Sequence, residues 1–217
     1  MKNGKKVLLI AACALLLVIG SVMGTLAYLT DSESVQNTFT VGSVALRLDE
    51  ADVDLNGVVK SNERVKNNSY HLLPGRNYVK DPTVTVEEGS ERSYIRMMVT
   101  VNYSSQLDAI FAPTGADLLD IFQGYDGTKW LLEGVTKDTA ANTRTYEFRY
   151  KEAVAAPDAD VPLAPLFRSF TVPGELTVEQ LATLEGGQIP FTIDVVAHAI
   201  QAEGFADADA AWAEFKP

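Results

Sequence analysis

From Ile95 to Tyr103 every second residue is apolar: Ile95, Met97, Val99, Val101 and Tyr103, separated by polar residues that include Arg96, Thr100 and Asn102. A period of two places those five side chains on one face of an extended strand, and that face must be buried against something else. The same rhythm returns at Phe191, Ile193, Val195, Ala197 and Ala199, with Thr192, Asp194 and His198 between them. Two strands of this kind, each wet on one side, call for an antiparallel sheet with one face on a core. Weaker strand signals cover Val35–Val41, Val44–Leu48, Thr83–Val86, Thr143–Tyr150 and Phe167–Val172. Turn pairs separate them at Pro74-Gly75, Asp81-Pro82, Glu88-Gly89, Asp126-Gly127 and Pro173-Gly174.

Three stretches break the alternation. Leu107–Phe122 carries apolar residues near helical spacing, with Pro113 and Gly115 predicted to split it. Thr177-Val178-Glu179-Gln180 reads as a capping box ahead of Leu181 and Leu184. Ala206–Phe215 reads as a terminal helix whose Trp212 and Phe215 dock on the domain. Ala153–Pro165, rich in Ala, Pro and Asp, reads as an exposed loop. The pattern predicts an all-β chain, a single β-sandwich with short helical insertions.

The N-terminus follows another logic. Lys2, Lys5 and Lys6 precede a stretch from Val7 to about Leu29 without a charged residue, the layout of a secretory signal helix. An uncleaved anchor is the rival, since about 20 apolar residues span a bilayer. Gly20, Ser21, Gly24 and Thr25 dilute the run near its end, and the small residues of Thr25-Leu26-Ala27 favour cleavage between Ala27 and Tyr28. Contact with the membrane is then expected only through the uncleaved signal. The one cysteine, Cys13, lies inside this segment. A lipidated Cys13 would leave Ala14–Ile19 as an apolar tail, so it reads as a small residue of the signal helix. The remainder, 28–217, suits one domain, with no disulfide to hold it. The whole chain has a net charge of −11, and losing the three lysines makes the rest more acidic. That balance argues against nucleic acid and anionic lipid as partners.

Several blocks now carry a family resemblance. Gly24-Thr25-Leu26-Ala27-Tyr28-Leu29-Thr30-Asp31, Asn37-Thr38-Phe39-Thr40-Val41-Gly42 and Val44–Leu48 form the first. Leu73-Pro74-Gly75, Lys80–Val86 and Ser93-Tyr94-Ile95-Arg96 form the second, and Ala197–Phe205 with Ala211-Trp212 the third. In this order they resemble the TasA/camelysin family of Gram-positive bacteria; residues from about 104 to 188 carry no such likeness. The resemblance implies a jelly-roll-like β-sandwich, secretion after cleavage by a SipW-type signal peptidase, and a place in the extracellular matrix or on the cell surface. It also implies self-association into biofilm-matrix fibres by donation of an N-terminal strand. Here that donor strand would be residues 28–39, with Tyr28, Leu29, Val35 and Phe39 as its apolar side chains. Such a strand can complete the sheet edge of a neighbour or pair within its own sheet.

One stretch has the spacing of a metal loop. Asp52-Val53-Asp54-Leu55-Asn56-Gly57-Val58-Val59-Lys60-Ser61-Asn62-Glu63 satisfies the calcium-loop pattern. Oxygens of Asp52, Asp54 and Asn56, the carbonyl of Val58 and the carboxylate of Glu63 would surround the ion, with Gly57 at the sharp turn. Calcium is thus the one cofactor expected. The competing reading is a solvated acidic hairpin, because the flanks are strand-like and Lys60 adds a positive charge. Enzymatic function enters only through the resemblance, some family members being described as metallo-endopeptidases. The chain has two histidines, His71 and His198, and no H-E-x-x-H, so the zinc chemistry lacks its usual ligands. There is no G-x-S-x-G either. The expectation is a structural protein and not an enzyme, with a monomeric calcium-stabilised accessory module as the alternative.

Overall fold

The computed structural model describes residues 43–111, 118–174, 177, 179 and 191–216. It is predominantly β, and the alternating stretch at Ile95 becomes its longest strand. This strand, β5 (Ser90–Asn102), buries Ile95, Met97, Val99 and Val101 completely. Beside it run β12 (Ile193–Gln201) and β8 (Thr143–Tyr150), both antiparallel, so that Val99 lies opposite Val195 on one side and Tyr146 on the other. The strand β7 (Trp130–Asp138) closes the far edge, giving the order β12-β5-β8-β7. A short strand, β9 (Val154–Ala156), pairs with the early part of β5 through Ser90 and Ser93.

A second antiparallel sheet contains β1 (Leu46–Val53), β2 (Val59–Val65), β4 (Thr83–Val86) and β10 (Val161–Pro162), in the order β10-β4-β1-β2. A third contains β3 (Asn77–Val79), β6 (Phe122–Gln123) and β11 (Ser169–Thr171), in the order β3-β11-β6. All three sheets feed one apolar core, in which Val84 and Val86 of the second sheet join Ile95, Met97, Tyr146 and Phe148 of the first. Tyr78 and Phe170 of the third stack with ring centroids 5.2 Å apart. Trp130 is fully buried, and its indole N–H donates to the carbonyl of Ala164 at 2.9 Å.

Several expectations need correction. Ala153–Pro165 is no free loop: β9 and β10 lie within it and add to two sheets, and Ala156 and Leu163 are buried. The helix expected at Leu107 begins earlier. In α1 (Ser104–Phe111) the Asn142 side chain accepts from the Ser105 amide at 3.0 Å, a cap supplied by a distant turn. A 3-10 turn covers Leu118–Ile121, and Phe122 belongs to a strand. The strand expected at Val44–Leu48 runs on to Val53, and that expected at Phe167–Val172 shortens to Ser169–Thr171. The strand expected at Val35–Val41 and the body of the capping-box helix lie outside the described residues.

The C-terminus docks as its aromatic residues predict. The helix α2 (Ala208–Glu214) is capped by Asp207, whose carboxylate accepts from the Ala210 amide at 2.9 Å. It presses Trp212, 6% exposed, onto the outer face of β5, where the Arg96 guanidinium covers that ring and Phe215. No helix among the described residues is long and apolar enough to cross a membrane.

Candidate functional site

One concavity among the described residues follows from the ladder pattern. Over Leu46–Asp49, β1 pairs among the described residues with β4 on one side only, because β2 joins its other side at Glu50 and beyond. β12 pairs with β5 along its whole length and has no second strand partner among the described residues. Between these two edges runs a groove of about 1070 Å³. Leu46, Leu48, Tyr70, Phe170, Ile193 and Val195 line it, all packed against the core cluster or part of it. A trough with an apolar strip on its floor, flanked by strand edges that lack partners among the described residues, presents hydrogen-bonding groups along its sides and side-chain pockets beneath.

Polar groups also reach this groove. Glu50 is only 5% exposed, a burial that a carboxylate tolerates only with partners. Its Oε2 accepts from Lys80 Nζ at 2.7 Å and its Oε1 from Asn68 Nδ2 at 2.9 Å. Tyr70 donates its hydroxyl to the Val79 carbonyl at 3.0 Å. Burial, followed by the charges of Glu50 and Asp81, pushes the Tyr70 phenol well above its ordinary value. At the rim Arg47 pairs with Asp49, Glu87 and Asp160. Neither Glu50 nor Asn68 stands out in the sequence, and Lys80 does so only as the first residue of the Lys80–Val86 block. They stand 18 and 30 residues apart and form no motif.

The stretch with the calcium-loop spacing is a β-hairpin. Asp52 lies in β1 beside a register shift, and its carboxylate pairs with Lys60 Nζ at 2.6 Å. Asp54 opens the turn. Its Oδ1 accepts from the amides of Val58 at 2.9 Å and Asn56 at 2.8 Å, and these bonds, the Val58 one foremost, hold the Asp54 carboxyl below its ordinary range. Asn56 and Val58 are exposed at the tip, and Glu63 lies on β2 beyond it. The five residues therefore sit on one hairpin. Two of the carboxylates are engaged by Lys60 and by turn amides. Among the described residues no group of three or more His, Cys, Asp or Glu gathers. Gly57 fits the turn for two reasons: its φ is +74°, and a Cβ there would lie 2.8 Å from Tyr78 Cα.

His198, one of the polar residues interleaved in the second alternating stretch, lies on β12, partly buried, and its Nδ1 accepts from Arg96 Nε at 3.3 Å. His71 contributes its backbone, its carbonyl accepting from the Tyr78 hydroxyl at 2.6 Å. Ala27, Tyr28, Leu29, Val35 and Phe39 lie outside the described residues. No protein-family model, curated protein or solved structure matches the chain.

Proposed function

We propose that the chain is an exported structural subunit that self-assembles into extracellular fibres, the N-terminal strand of one copy entering the groove between β1 and β12 of the next. In this reading residues 1–27 are a signal removed by a SipW-type peptidase, and the remainder folds as a jelly-roll-like β-sandwich with one place for a further strand. The observation that carries the reading is the groove itself, a trough with an apolar strip and a polar rim between two strand edges that lack partners among the described residues. The chemistry of residues 28–39 fits it. Leu29, Val35 and Phe39 fall on the same face of an extended segment, a face they share with Asp31, Glu33 and Asn37, and Arg47 and Lys66 among the groove's lining residues are the cations to meet the two carboxylates. Main-chain bonds to both edges would give affinity, and the three apolar side chains would set the register. The resemblance to the TasA/camelysin family supports the same reading. The described chain begins at Ser43, three residues before β1, and a donor segment covalently joined to it can also serve its own copy. Insertion in cis is therefore the competing outcome.

The test is electron microscopy of the purified chain beginning at Tyr28, beside one that also lacks residues 28–39. Fibres from the first and monomers from the second are expected. Strict monomers from both at high concentration would refute assembly and leave insertion in cis.

A further inference from the structure

We propose that Lys80 and Asn68 form an intramolecular isopeptide bond, with Glu50 as the catalytic proton carrier. The inference is independent of fibre assembly. One buried carboxylate holds an amine and a carboxamide on its two oxygens, Lys80 Nζ at 2.7 Å from Oε2 and Asn68 Nδ2 at 2.9 Å from Oε1. Those are the two groups whose condensation makes an amide. The Lys80 side chain is 11% exposed, so its amine is largely removed from competing water.

The carboxamide is held in an orientation that suits attack. Where the β1–β2 register shifts between Ala51 and Val53, the Val53 amide donates to Asn68 Oδ1 at 3.0 Å and the Ala51 carbonyl accepts from Asn68 Nδ2 at 2.9 Å. The Val53 N–H thus points at the oxygen on which negative charge develops, the arrangement that stabilises a tetrahedral intermediate. The nitrogen that must leave faces Glu50, the group able to protonate it. Both bonds also fix which end of the Asn68 amide is oxygen and which is nitrogen.

The step balances without an outside reagent. Lys80 Nζ passes a proton to Glu50 Oε2 and, as the free amine, attacks Asn68 Cγ. The new Nζ–Cγ bond forms, the Cγ–Nδ2 bond breaks, and Glu50 delivers a proton through Oε1 to Nδ2, which departs as ammonia. Of the two protons that Nζ sheds, one completes the ammonia and the other leaves with it as ammonium, so Glu50 ends as the carboxylate. The flexible four-carbon stem of Lys80 permits the closing movement. The product ties the segment after β2 to the segment after β3, a covalent link in a chain whose single cysteine cannot form an internal disulfide.

The bond is read by peptide mapping of the purified, folded full chain. Trypsin cuts after Lys66, Arg76 and Arg92, so an isopeptide joins peptide 67–76 to peptide 77–92, uncut at Lys80 and lighter by one ammonia. That species is the expected result. Recovery of peptides 67–76 and 77–80 separately and in full yield would overturn the proposal and leave a buried hydrogen-bonded ion pair. Glu50→Gln should slow formation about a hundredfold or more. Cross-linking of Glu50→Gln at the rate of the parent chain would remove Glu50 from the mechanism. Should that variant fail to fold, the map of the parent chain still decides.

Discussion

The Arg96 guanidinium lies over the indole of Trp212, 4.5 Å from the ring centroid, and so fastens the C-terminal helix to the outer face of β5. The same cation lies 4.7 Å from the Phe215 ring centroid, and Glu147 approaches it at 3.5 Å. A short helix cannot persist alone, so α2 depends on this contact. Trp212→Ala removes a buried indole together with the cation's partner and is expected to cost about 3 kcal/mol. Urea unfolding of the variant against the parent chain measures it.

The same cluster predicts a response to acid. Burial, and then the charge of Arg96, hold the His198 imidazole below its ordinary value of 6.5, with Glu147 acting weakly in the other direction. A depressed folded value means that the neutral ring is favoured by folding. This contribution is fully present above the ordinary value and is lost as pH falls through the lower, folded one. Below pH 6.5 the melting midpoint of the parent chain should therefore fall faster than that of His198→Gln, and above it the two should run parallel. Coincident curves throughout would remove His198 as the source.

Gly57→Ala is expected to destabilise by about 2–4 kcal/mol, from a left-handed backbone and a Cβ pressed against the Tyr78 main chain. Tyr78 is fully buried and stacks on Phe170, so the strain reaches the third sheet. Chemical denaturation tests the magnitude. Asp54→Asn keeps an acceptor for the turn amides and should leave the hairpin intact, whereas Asp54→Ala should lower the melting midpoint.

Lysine on the groove wall offers a direct test of the assembly proposal. Leu48→Lys and Val195→Lys each place a charge in the trough. Both should abolish fibres while the far-ultraviolet circular dichroism of the monomer remains that of the parent. Fibres of unchanged yield from both would exclude this groove as the docking site.

What could be read in advance tracks how each segment is solvated. β5 alternates cleanly because one face is buried and the other wet; β8 is a weaker signal, since Arg144 takes a buried position in its rhythm, yet it was legible to its ends, Thr143 and Tyr150. β2 was not read as a strand. Val59–Val65 has five polar residues between two valines and is exposed on most positions, so no apolar rhythm betrays it. The metal-loop spacing also drew attention to the same residues. Much of β7 is an exposed sheet edge paired with β8, where Glu133–Asp138 are exposed and carry no pattern. β9 and β10 are two or three residues long, below the length at which a period can be counted. The Glu50–Asn68–Lys80 cluster was invisible for a different reason, since residues from β1 and from the segments after β2 and β3 meet only once the sheets are built.

The bridge between Ser43 and Ser90 acquires a mechanical meaning if subunits are strung together. Tension arriving along the N-terminal segment enters the domain at Ser43, whose carbonyl accepts from the Glu91 amide at 3.0 Å. Ala45 is held next, its amide on Ser90 Oγ at 3.1 Å and its carbonyl on the Glu87 amide at 3.0 Å. The four pairs of β1 with β4 follow, from Leu46–Val86 to Asp49–Thr83. A pull along the strand axis loads these bonds side by side instead of peeling them one at a time, and a joint loaded in shear yields at higher force than one that unzips.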